Sequence, residues 1–97
     1  MSALTIREKS YSDYGIADKV DQIKRYCMQN SDESNAILFK CAFEANCMIG
    51  ADLFYSLSQD VSWERLDAIK YVGYSKVDFY GYRRLCMYLV SQCIQSK

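Results

Sequence analysis

The chain has no histidine and no proline, only four glycines, and a formal net charge of zero. Each absence removes a class of function. Without histidine, the commonest general base and a principal metal ligand are missing together. The five cysteines do not compensate, because Cys27, Cys41, Cys47, Cys86 and Cys93 form no paired CxxC knuckle and so offer no zinc spacing. No glycine-rich phosphate loop occurs, and no serine sits in a nucleophile motif. The sequence therefore predicts a protein that is not an enzyme and carries no cofactor and no metal.

Long apolar runs are also missing. A membrane helix needs about 20 such residues. The longest candidate, Asn35 to Leu57, is broken by Lys40, Glu44, Asn46 and Asp52, so no membrane span is expected. An odd number of cysteines, mostly among apolar residues, and the lack of a signal-peptide pattern predict buried, reduced thiols and a cytoplasmic protein. Zero net charge argues against indiscriminate polyanion binding, yet the charge is unevenly placed. Residues 1–61 carry six basic and nine acidic side chains, whereas residues 62–97 carry six basic and three acidic, which makes the C-terminal third electropositive.

What is present is globular composition: 51% hydrophobic residues, 25% charged residues and nine tyrosines in 97 residues. That length suits one domain with one core. Residues 1–12 lack a clear period and read as an arm, with Ile6 attaching it to the body. From Asp13, a candidate N-cap, Ile16, Val20, Ile23 and Cys27 recur at helical spacing, and Asn30-Ser31-Asp32 ends that helix and begins the next. Ser34 to Leu57 is apolar on more than one face, as in the centre of a bundle, and divides near Asn46 into two helices. Ser62 caps a short fourth helix bearing Trp63, Glu64, Leu66 and Ile69. After the break at residues 71–74, Ser75-Lys76-Val77-Asp78 has capping-box spacing and opens a long helix to about Gln95. No segment alternates as a strand does. The expectation is an all-α bundle of about five helices, divided into an arm (1–12), a helical core (13–57) and a C-terminal helical segment (62–97).

At about 100° per residue, Phe79, Tyr82, Cys86, Leu89, Val90 and Cys93 share one arc of the last helix, which predicts its core face. Lys76, Tyr80, Arg83 and Arg84 fall on the other side, at the N-terminal half. A recognition helix reads base edges from there, and guanidinium groups there can contact guanine or phosphate. The plainer alternative is an ordinary solvated face. Cys86 and Cys93, seven residues apart and so about 10 Å along one helix, cannot bridge each other.

The strings Val61-Ser62-Trp63-Glu64-Arg65-Leu66 and Tyr71-Val72-Gly73-Tyr74-Ser75-Lys76-Val77-Asp78-Phe79-Tyr80-Gly81-Tyr82-Arg83-Arg84 resemble the C-terminal helix-turn-helix of small phage transcriptional regulators and sigma-factor-like proteins. Ser62 and Gly73 stand eleven apart where that pattern has about nine, and Asp67 occupies a position usually held by a small residue. The resemblance implies a helix-turn-helix-like arrangement with a longer turn and a DNA-binding transcriptional regulator of a phage or mobile element. Its target would be double-stranded DNA, contacted by Lys76, Tyr80, Arg83 and Arg84, with a homodimer as one assembly. The alternative is a small protein-interaction module: an inhibitor or adaptor of a host protein, or a self-assembling structural protein. Nine tyrosines exceed what a small core hides, and tyrosine is enriched at binding surfaces.

Overall fold

In the computed structural model, residues 5–95 are described, so the first four residues of the arm and the last two of the chain lie outside the described residues. Among the described residues five α-helices follow in order: α1 (Val20–Cys27), α2 (Asp32–Ala45), α3 (Gly50–Gln59), α4 (Trp63–Ile69) and α5 (Lys76–Gln95). A single 3-10 turn, Ala17–Lys19, leads into α1. Among the described residues there is no strand, and the fold is all-α.

Local chemistry explains where each helix starts and stops. Asp13 does not cap α1. Its Oδ2 accepts from the Ser10 amide (2.8 Å) and hydroxyl (2.9 Å), closing a turn ahead of Gly15, whose φ of 75° is a left-handed value that suits glycine. The helix therefore begins at Val20, although Ile16, Ile23 and Cys27 are buried as the apolar stripe requires. Ser31 caps α2 reciprocally: its hydroxyl accepts from the Ser34 amide at 3.1 Å, and the Ser34 hydroxyl accepts from the Ser31 amide at 3.0 Å. Serine here does the work usually given to glutamate in a capping box.

The division near Asn46 is present. Asn46 is extended and ends α2, its Oδ1 accepts from the Met48 amide at 2.9 Å, and its Nδ2 donates to the Tyr74 hydroxyl at 3.2 Å. Asp60, at φ 54°, ends α3, and Ser62 caps α4 by accepting from the Arg65 amide at 3.3 Å. The indole of Trp63 donates to the Tyr74 carbonyl at 3.1 Å, and Asp67 accepts from the Val72 amide at 3.1 Å, fixing the connection to α5. Residues 70–75 form that connection, and α5 begins at Lys76 as the spacing anticipates.

α2 packs against both α3 and α5, and α1 touches α5, α2 and α3. The core runs through Leu38, Cys41, Leu53, Leu57, Phe79, Cys86, Met87 and Val90. On α5, Phe79, Cys86 and Val90 are buried as anticipated, whereas Tyr82, Leu89 and Cys93 are only half-buried. Gly81, Arg83, Met87 and Ser91 are buried in addition, because neighbours cover the helix on more sides than one arc.

Leu38→Ala, at a fully buried position on α2, should cost about 2–5 kcal/mol in urea unfolding, while Ser31→Ala should cost about 1 kcal/mol. Equal losses for the two would contradict this division between core and cap.

Candidate functional site

The four residues expected to form one basic strip are engaged in separate contacts with α3, α4 and the arm. Lys76 is exposed and ion-paired with Glu64 of α4; this hydrogen bond and charge hold the Glu64 carboxyl below the usual carboxylate range and raise the Lys76 ammonium. The Tyr80 hydroxyl accepts from the Trp63 backbone amide at 3.0 Å, satisfying an N–H at the start of α4 that no helical carbonyl can reach. Arg83 does not face outward: it is 8% exposed, its Nε donates to Ser56 Oγ on α3 at 3.1 Å, and its guanidinium lies 5.8 Å from the Tyr80 ring centroid. Arg84 is half-buried, with Nε donating to the Lys9 carbonyl at 2.7 Å and Nη2 to the Arg7 carbonyl at 3.3 Å. The structure does not bring the four together as one open surface. Neighbouring residues on a helix diverge by about 100°, so Arg83 and Arg84 meet α3 and the arm respectively.

The arm is the reason one face of α5 is closed. Its residues follow α5 in step: Arg7 grips Asp78 through two hydrogen bonds (2.5 and 3.0 Å), Tyr11 donates to Met87 Sδ at 3.6 Å, and Tyr14 stacks on Tyr88 with centroids 5.2 Å apart. Lys9 lies over the Tyr14 ring at 4.6 Å. Ile6 does attach the arm to the body: a Cβ built on Gly81 would stand 2.5 Å from the Ile6 carbonyl oxygen, so only glycine at position 81 admits the arm's backbone. Of the capping box expected at the start of α5 only one half is made: the Asp78 amide donates to the Ser75 hydroxyl oxygen at 3.3 Å, while the Asp78 carboxylate accepts from Arg7 instead.

A different surface stands open. Between α3 and α4 lies a cleft of about 340 Å³, lined by Ala51, Asp52, Tyr55, Leu66, Ile69 and Lys70. Lys70 Nζ meets Asp52 Oδ1 at 3.1 Å across it, so its walls are apolar and its charged pair is internally matched. Ile69 is 70% exposed and Tyr71 is 85% exposed. Met48 and Tyr55 are exposed as well, and the Asn46–Tyr74 hydrogen bond ties the α2–α3 loop to the α4–α5 connection. A second aromatic group, Phe39, Phe43 and Phe54, sits where α2 and α3 meet, with centroid separations of 4.6 Å for Phe39–Phe43 and 5.8 Å for Phe39–Phe54. The sequence carried a signal for the cleft in Asp52, a lone acid within an apolar helix.

Gly81→Ala separates the arm from the bundle. Alanine should favour α5 by up to about 1 kcal/mol, yet it must push Ile6 away. Amide exchange at residues 6–14 should accelerate at least tenfold while the unfolding midpoint of the bundle stays level or rises; unchanged exchange in the arm would refute the contact. Acid should act on the same clasp. The Arg7 hydrogen bonds hold the Asp78 carboxyl below its ordinary value, so their contribution is complete above the ordinary carboxylate range and disappears as pH falls through the lowered value. Arm exchange in Asp78→Asn should lose that acid dependence.

No protein-family pattern matches the chain, and no curated protein or solved structure matches it.

Proposed function

We propose that this chain is a small protein-interaction module that receives apolar side chains of a partner protein in the α3–α4 cleft. The observation that carries the reading is the conjunction, at one cleft, of Tyr55 and Ile69 in solvent with a Lys70–Asp52 pair that already satisfies its own charge. Such a surface offers apolar contact and requires no opposite charge from its partner. The cleft lies at the lower end of the volume range of ligand pockets, with room for a few side chains rather than an entire element. An amphipathic helix presenting two or three apolar residues fits that description. Tyr55, in the cleft lining, is a residue type that supplies large contact area at small conformational cost.

Duplex recognition by the start of α5 draws less support from the geometry. It would require Arg84 to surrender two arm carbonyls, Arg83 to leave Ser56, and Lys76 to leave Glu64. Each of those groups would have to be replaced by solvent or nucleic acid before any phosphate contact became net favourable.

Selection from a displayed library of helical peptides tests the proposal directly. Enriched peptides should carry paired apolar residues at i and i+3 or i+4, and Ile69→Asp should weaken their binding about 30-fold or more with the thermal midpoint preserved. Binding should change little between low and moderate salt. If no peptide is enriched and the chain instead retains DNA from a random duplex pool, with affinity falling steeply as salt rises, the reading is overturned in favour of duplex recognition.

A further inference from the structure

Four of the five cysteines lie on the helices that build the core: Cys27 on α1, Cys41 on α2, and Cys86 and Cys93 on α5. Cys27, Cys41 and Cys86 are fully buried, and Cys93 is half-buried near the end of α5. Cys47 is exposed in the α2–α3 loop. Within this group one pair stands out by distance: the Sγ atoms of Cys41 and Cys93 are 3.8 Å apart, within reach of a thiol hydrogen bond. A disulfide has its sulfurs about 2.05 Å apart, so rotation of the two side chains must close less than about 2 Å.

We propose that Cys41 and Cys93 are a redox modification site, forming an intramolecular disulfide that clamps α2 to α5 when the chain meets a low-molecular-weight disulfide such as glutathione disulfide. Cys93, the member that solvent reaches, gives its proton to water, and its thiolate attacks one sulfur of the oxidant. The oxidant's S–S bond breaks, a mixed disulfide forms on Cys93, and one glutathione thiolate leaves. Cys41 then loses its proton and attacks Cys93 Sγ; the mixed bond breaks, the protein disulfide forms, and the second glutathione leaves. Two protein thiols are oxidised, one glutathione disulfide is reduced to two thiols, and the two protons end on the departing sulfurs.

Burial, reinforced by the neighbouring Cys93 sulfur, pushes the Cys41 thiol up to about 12, which makes the second step the slow one. The short separation works in the opposite direction, since an intramolecular thiol held beside the mixed disulfide acts at a very high effective concentration. Cys27 and Cys86 are buried away from solvent, and burial pushes the Cys27 thiol to about 12 and the Cys86 thiol well above its ordinary value, so neither competes as the first nucleophile. The bond would join positions 52 residues apart in the chain, a separation at which cross-linking restricts the unfolded ensemble strongly.

The experiment uses the full chain carrying Cys47→Ser, which removes the exposed thiol, equilibrated with excess glutathione disulfide and quenched in acid. Intact mass should fall by two hydrogen atoms, and a proteolytic map should recover the Cys41 and Cys93 peptides joined. The thermal midpoint should rise by roughly 5 °C or more and return on adding dithiothreitol. Adding Cys93→Ser, a change at a half-buried position, should leave a folded chain whose mass and midpoint no longer respond. Recovery of the unmodified mass, a glutathione adduct that persists on Cys93, or a cross-link between another pair would each overturn the proposal.

Discussion

The constraint on which this architecture turns is the enclosure of α5. It is the longest helix, and α1, α2, α3, α4 and the arm all use it as a partner. Enclosure on several sides leaves no room for a simple amphipathic division, and the polar groups of α5 must find partners as its apolar groups do. Arg83 shows the consequence: nearly covered, it retains a hydrogen bond to Ser56 and an aromatic neighbour in Tyr80. Ser56 in turn donates to the Val61 carbonyl at 2.6 Å, which ties the end of α3 to the loop that launches α4. One helix thus organises the turn chemistry of two others.

The order of helices and most of their limits were legible because they depend on local rules. The helix boundary at Asn30-Ser31-Asp32, Ser62 as a cap, the separation near Asn46 and the start of α5 at Lys76 all follow from short-range patterns of polar and apolar residues. Asp13 misled because a serine three residues earlier and a glycine two residues later favour a turn over a cap, a competition between local options that helical periodicity does not register. The fate of the basic side chains was illegible for a different reason. A helical wheel assigns a direction to Arg83 and Arg84 but says nothing of which distant segment arrives there, and their partners are set by α3 and the arm.

The cleft follows the same logic in reverse. Leu66 points inward and Ile69 outward on α4, although both satisfy the same apolar period, because a seven-residue helix has only two turns to present to the core. The remaining apolar surface is left at the rim, next to the matched Lys70–Asp52 pair. Surface of this kind is affordable to a fold whose central helix is already saturated with contacts, and it gives the molecule an open face without compromising its interior.

The arm's attachment also has a temporal side. Its hydrogen bonds to α5 join residues 71 to 77 positions apart. On a ribosome adding about 5–20 residues per second, the arm emerges several seconds before the helix that receives it. During that interval Tyr11, Tyr14 and the Arg7 guanidinium have only solvent or a passing macromolecule for company, and the nascent polypeptide presents two aromatic rings that the finished molecule covers fully at Tyr14 and partly at Tyr11.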